Sequence, residues 1–288
     1  MEIGYYPGCS LEGVSKEFDI SLRKVCSLLD IKLVEIPDWH CCGTSPLHAF
    51  SQGLSYLLPY KNIQKAVEGG IKGILVPCPS CLYSLCFAVE AYKNDGVIKN
   101  YLIHNTGFEY TGDLKIYHIL DFLRDLVTLE ALKNSIKKPL QGLKVVSYYG
   151  CLMRFHGVEI DDDEQPTIID KIVESIGGEP LEWTHKVECC GAGLSITRPD
   201  ITQRLLRDIL DSAKRAGADC VTSVCPLCQS NLDMRQKGLS QASGNGYNMP
   251  IVYLTQLIGI ALGAHSNELG MDKLIVDFIP TMKEKGLL

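Results

Sequence analysis

Several things are missing from this 288-residue chain, and each absence narrows what it can do. No segment holds the roughly 18 or more apolar residues of a membrane span. The nearest run, 251–264, is interrupted by Thr255 and Gln256. There is no basic block of the kind that tracks nucleic-acid phosphates, and the formal net charge is −6, so nucleic acid is not an expected partner. The opening MEIGYYPGCS has neither a basic start nor an apolar signal core, and the expected location is cytoplasmic. A dinucleotide fingerprint is lacking too. Gly191-Ala192-Gly193 follows a cysteine pair and continues without a third glycine, so it reads as loop geometry. With 46% hydrophobic and 22% charged residues the chain is an ordinary packed protein, not a disordered one. The length fits one large domain or two of about 140 residues.

Cysteine, by contrast, is abundant. There are 13. A secreted disulfide scaffold is normally shorter and even-numbered, whereas in a reducing compartment many cysteines point to metal binding or thiol chemistry. Ten of the 13 fall into two sets of five. Cys9, Cys41, Cys42, Cys78 and Cys81 follow the pattern C-x31-CC-x35-C-x2-C. Cys151, Cys189, Cys190, Cys225 and Cys228 follow C-x37-CC-x34-C-x2-C. The flanks repeat as well: YYPGC with YYGC, HCCG with ECCG, CPSC with CPLC, and IYHILDFL with IVYLTQLI. Agreement at four places indicates duplication. The divide is expected within 133–142, giving domains 1–138 and 139–288. The acidic run 161–164 belongs to the longer spacer of the second half and reads as a solvated face.

Each half alternates short apolar runs with helical patterns. Strands are expected at 3–6, 32–36 and 74–76, then at 144–148, 180–183 and 220–224. Helices are expected through Val14, Phe18, Leu22, Val25 and Leu29, over 54–67, after CPSC, over 166–176 and over 199–216. The stretches 93–115 and 236–250, rich in Gly and Asn, read as loops. Alternating strands and helices imply an α/β fold, with a small parallel sheet flanked by helices in each half. Cys9, the Cys41-Cys42 pair and Cys78 each follow the carboxyl end of a strand. Those ends share one edge of a parallel sheet, where ligands bind, so the sulfurs of each set are expected to converge. Helices that start at this edge lower thiol pKa.

A structural zinc takes four tetrahedral ligands, and a cubane [4Fe–4S] cluster also takes four. Five cysteines per site is one too many for either. Adjacent side chains diverge, so a vicinal pair suits two irons of a wide cluster or one bridging thiolate. The spacing favours an iron–sulfur centre of unusual shape, with zinc and dithiol chemistry as the alternatives. Cys26, Cys86 and Cys220 lie outside both sets and read as buried structural thiols.

These motifs resemble the CCG-domain family, and within it the B subunits of heterodisulfide reductases. The resemblance covers nearly the whole chain. It implies two homologous CCG domains related by pseudo-two-fold symmetry, each holding a noncubane [4Fe–4S] cluster in which [3Fe–4S] and [2Fe–2S] units share an iron and a sulfur. Carried over, Cys9, Cys41, Cys42, Cys78 and Cys81 would bind one cluster, and Cys151, Cys189, Cys190, Cys225 and Cys228 the other. The implied reaction is reduction of the coenzyme M–coenzyme B heterodisulfide to two thiols between the clusters. The chain lacks the C-x2-C-x2-C-x3-C run of bacterial-type ferredoxins. Partners are therefore implied: a ferredoxin-like protein with cubane [4Fe–4S] clusters, a flavin-containing protein, and a hydrogenase or formate dehydrogenase. The substrate is anionic, and Arg154 is the first candidate for contact with it. His156, His185, Lys186, His40 and His48 are weaker ones. Competing readings are an electron-transfer CCG subunit of a hydroxy-acid dehydrogenase or fumarate/succinate complex, and a zinc-stabilised interaction module.

Overall fold

The computed structural model describes residues 1–44, 46–151, 161–244 and 246–288. Arg154 and His156 lie outside the described residues, as does the side chain of His48. Two four-stranded parallel sheets carry the fold. The first is ordered β2-β1-β3-β4, from β1 (Glu2–Tyr5), β2 (Lys32–Glu35), β3 (Gly73–Leu75) and β4 (Lys115–Tyr117). The second is ordered β6-β5-β7-β8, from β5 (Lys144–Tyr148), β6 (Glu179–Pro180), β7 (Cys220–Ser223) and β8 (Ile251–Tyr253). Identical strand order in both halves bears out the repeat. All neighbours run parallel. Strands β7 and β8 are wholly buried, as parallel strands covered by helices should be. Among the described residues no helix is long and apolar enough to cross a membrane.

Four expectations need correction. Val14 is 70% exposed, because the expected helix is broken at Gly13 into Gly8–Glu12 and Lys16–Leu28. The stretch 93–115 contains a helix, Gly96–Thr106, which Asp95 starts by accepting hydrogen bonds from Val97 N and Ile98 N. The stretch 236–250 contains another, Gln236–Ser243. In both, composition hid a helix of ordinary packing: Leu102 and Leu239 are buried. The strand expected at 180–183 shrinks to Glu179–Pro180, an edge position where proline is tolerated. The acidic run is exposed as expected, and Asp161 and Asp162 accept local backbone N–H groups.

The two halves share one core. The helix after β8, Leu254–Ala261, is buried throughout and lies against Lys16–Leu28 of the first half. Phe18 stacks on Tyr253 at 4.3 Å, and Ser21 and Thr255 are hydrogen-bonded at 2.6 Å. The segment after β4 reciprocates. Leu120, Phe122, Leu123 and Leu132 join the same core as Ile169 and Ile172 of the helix Ile168–Ser175. Thus the fourth repeated motif, the one without cysteine, supplies the joint. We propose the divide at 138 and 139 as the seam of the duplication, just beyond the helix Leu129–Asn134.

His118 begins the segment after β4. It is fully buried, Nε2 donates to the Pro77 carbonyl at 3.1 Å, and Nδ1 accepts from Leu120 N at 3.3 Å. Burial pushes its pKa down to about 3, against the weaker opposing effect of Pro77, so the ring is neutral. An unfolded histidine takes up a proton below about pH 6.5, and the folded one does not until about pH 3. Stability therefore falls as pH drops through that window, and is fully regained above it. Denaturation at pH 7 and pH 5 should show His118→Gln losing about 2 kcal/mol less than the wild type between the two values. Leu257→Ala, at the joint, should cost about 2–5 kcal/mol in the same measurement.

Candidate iron–sulfur site

The parallel sheets gather the cysteines as their order demands. In the first half Cys9 lies in the short helix after β1, Cys41 and Cys42 follow β2, and Cys78 and Cys81 open the helix Pro79–Asn94 after β3. Strand order reverses between β1 and β3, the position where open α/β sheets hold ligands. Cys41 Sγ is 3.5 Å from Cys9 Sγ, and Cys42 Sγ is 3.4 Å from Cys81 Sγ. In the second half Cys190 Sγ is 3.5 Å from Cys228 Sγ, and Cys151 is hydrogen-bonded to Cys189. Cys225 contacts Cys228 in turn. Each set has a closed and an open side. Cys42, Cys78, Cys81, Cys190, Cys225 and Cys228 are buried, whereas Cys9, Cys41 and Cys189 are exposed.

Protons are shared unevenly within each set. Hydrogen bonding with Cys41 and Cys81, with help from Thr44 N–H and the Ser84 hydroxyl, overcomes burial and brings the Cys42 thiol down to about 3. Cys41 and Cys81 are raised, first by the same hydrogen bonding with Cys42. Cys78 is lowered, first by Cys81 and also by N–H groups at the helix start, as expected of a thiol at that edge. In the second half Cys151 lowers Cys189 to about 6, assisted by Gly191 N–H, and Cys228 lowers Cys190. Thiolates are the metal-binding form, so these sulfurs are partly prepared for it.

Three features fit a bound polynuclear group. The donor set is ten sulfurs in two sets of five, more than one tetrahedral ion takes. Glycine clears each floor: a Cβ on Gly8 would lie 3.0 Å from Cys81 Sγ, and one on Gly150 would lie 2.9 Å from Cys228 Sγ. Both glycines also have φ near +70°, which other residues rarely adopt. Finally, His40 Nε2, beside Cys41, is buried and has no hydrogen-bond partner among the described residues.

The tyrosines that precede each first cysteine have a role that their place in the repeat does not reveal. Tyr6 Oη donates to the His40 carbonyl at 2.7 Å, and Tyr148 Oη donates to the Glu188 carbonyl at 2.6 Å. Each ties the end of a central strand to the residue just before the vicinal pair. Asn62 bonds His40 N and O, Asn231 Nδ2 donates to the Cys190 carbonyl at 2.8 Å, and Thr202 donates to the Gly191 carbonyl at 3.0 Å. The asparagines occupy unrelated positions in the two halves, so the repeat could not have exposed them.

Two of the weaker cationic candidates, Lys186 and His185, are otherwise engaged. Lys186 is buried, with Nζ 2.8 Å from Asp170 and 3.0 Å from the Pro166 carbonyl. His185 bonds Thr184 and lies beside Trp183. His40 Nδ1 faces the Cys41 carbonyl. Of the cysteines outside the sets, Cys26 and Cys220 are buried and Cys86 is half-buried. Burial raises the thiols of all three, those of Cys26 and Cys86 to about 12.

The cysteine-rich CCG domain family matches residues 3–86 and 145–233. The chain is 28% identical to the membrane anchor subunit of the 8-methylmenaquinol:fumarate reductase of Wolinella succinogenes, covering 96% of this chain and 97% of that one. It is 30% identical to the B subunit of the ferredoxin/F(420)H(2)-dependent CoB-CoM heterodisulfide reductase of Methanosarcina acetivorans, covering 94% and 93%. It is also 30% identical to the B subunit of the ferredoxin:CoB-CoM heterodisulfide reductase of Methanosarcina mazei, covering 93% and 90%. A hypothetical protein from Helicobacter pylori shares the fold, with a TM-score of 0.75 at 12% identity; the match covers 96% of this chain but 52% of that one. The repeated domain and the near-full-length likeness to two heterodisulfide reductase proteins together make this chain a two-copy member of the cysteine-rich CCG family, among subunits of oxidoreductases.

Proposed function

We propose that the chain is the disulfide-reducing iron–sulfur subunit of a heterodisulfide reductase, acting on the coenzyme M–coenzyme B heterodisulfide. The observation that carries this reading is the pair of complete five-sulfur sets, each at the carboxyl edge of its sheet and each open on one side. Cys9, Cys41, Cys42, Cys78 and Cys81 are the proposed ligands of one noncubane [4Fe–4S] cluster. Cys151, Cys189, Cys190, Cys225 and Cys228 are those of the other. When bound, such clusters would supply electrons one at a time. The reaction is R–S–S–R′ + 2 e⁻ + 2 H⁺ → R–SH + R′–SH, so two one-electron centres match one disulfide. Tyr6 and Tyr148 hold the vicinal-pair loops in place. The exposed sulfurs Cys9, Cys41 and Cys189 mark the sides from which substrate and electrons would reach each site. The electrons come from partners, proposed as a ferredoxin-like protein with cubane clusters, a flavin-containing protein and a hydrogenase or formate dehydrogenase. Arg154 stays a proposed anion contact.

A second reading, an electron-transfer CCG subunit of a fumarate/succinate or hydroxy-acid complex, is favoured by one observation. The Wolinella succinogenes fumarate reductase protein matches over 97% of its own length. The discriminating experiment is iron, sulfide and zinc analysis after anaerobic purification, followed by EPR with coenzyme M thiol and assay of heterodisulfide reduction. About eight irons with negligible zinc, a new signal with the thiol and turnover are expected. Two clusters with neither thiol response nor turnover would move the assignment to the electron-transfer reading. About four irons and one zinc would end the paired mechanism. Gly8→Ala and Gly150→Ala should each lose about half of the iron and slow reduction about 100-fold, read by metal analysis and the same assay.

A further inference from the structure

Duplication makes the halves comparable residue by residue, and beside the last cysteine they differ. Counting from Cys81 and Cys228, the positions of Tyr83, Phe87 and Ala88 in the first half are those of Ser230, Met234 and Arg235 in the second. In the first half this space is filled. Phe87 lies against Tyr56 at 5.0 Å and against Tyr83 at 5.5 Å, and Ala88 is buried. Within CPSC, Ser80 is buried too. In the second half the same space is open. Leu227, within CPLC, is 38% exposed and Met234 is 60% exposed. A cleft of about 340 Å³ lies here, walled by Leu227, Met234 and Ala192. Its polar lining is Ser195, Ser230, Asn231 and Arg235. Ser230 Oγ is 3.1 Å from Ser15 Oγ of the first half, so the cleft reaches the seam.

Arg235 is fixed with respect to the cysteines. Its Nε donates to Asn231 Oδ1 at 2.7 Å, and Asn231 Nδ2 donates to the Cys190 carbonyl at 2.8 Å. Among the described residues its guanidinium meets no carboxylate, unlike Lys186 with Asp170 or Arg198 with Asp200. A planar cation with unused donors, at a cleft lined by Leu227 of CPLC and by Ala192 and Met234, is suited to an oxyanion on an apolar stem.

We propose that this cleft binds one arm of the thiol or disulfide substrate, an apolar chain ending in an oxyanion, with Arg235 as its anion-binding residue. The proposal rests on the disulfide-reductase reading for its substrate class, but the cleft can be tested without turnover. Calorimetry of the anaerobic, metal-loaded protein with 6-mercaptohexanoate and with neutral 6-mercaptohexan-1-ol gives the preference for the anion. The wild type should favour the carboxylate at least about ten-fold. In R235Q that preference should fall to near unity, and R235K should keep part of it. M234E, which places a carboxylate in the cleft, should also abolish it and covers the case in which R235Q fails to fold. A wild type without the preference, or variants that retain it in full, would overturn the assignment. A preference lost in R235Q without any disulfide reduction would sink the reductase reading and leave the cleft. Reduction without an Arg235-dependent preference would do the reverse.

Discussion

Crowding of sulfur is the constraint on which the rest of this structure depends. Gathering five cysteines from three loops at one sheet edge leaves no space for a further carbon on the backbone beneath the last of them. Gly8 and Gly150 meet that demand, since a single added carbon at either would press on Cys81 or Cys228. It also requires that the loops carrying Cys41-Cys42 and Cys189-Cys190 be held at their bases. Tyr6 and Tyr148 do this from the central strands, with their hydroxyls on the preceding carbonyls. Satisfying those carbonyls inside the protein avoids the cost of burying unpaired polar groups and leaves the sulfurs free of structural duty.

Symmetry governs the scaffold and lapses around the sites. The sheets have the same order, and the helices after β4 and β8 are exchanged reciprocally. Yet His118 backs the CPSC turn where Tyr253 stands in the second half, and an aromatic stack fills the space that is a cleft beside CPLC. The proposed mixed-disulfide substrate would leave as two unlike thiols, and two unlike surroundings on one symmetric frame suit it.

Much of this was legible in the chain. Repeated spacings gave away the duplication, and the β-α alternation placed Cys9, Cys42 and Cys78 on one edge because a parallel sheet has only one carboxyl edge. What stayed hidden depended on side chains far apart in sequence. Asn62 and Asn231 do the same kind of work from unmatched positions. Lys186 looked free because its partner Asp170 is brought near only by folding. The helix Gly96–Thr106 was masked by Gly96, Asn100 and Asn105, although Asp95 was present as its starting residue. Val14 kept the right period but fell beyond the break at Gly13.

The exchanged helices have a consequence for biosynthesis. Phe18, Leu22 and Val25 are synthesised long before the side chains that cover them, among them Leu254, Leu257 and Ile258. The first half thus carries an uncovered apolar stripe until the second half is made, and docking of its helix Lys16–Leu28 waits for that half. A nascent chain in that condition exposes thiols and apolar surface together, a state open to oxidation and to aggregation. Assembly of the first sulfur set is thereby tied to synthesis of the second half, which must cover the first before either site is shielded.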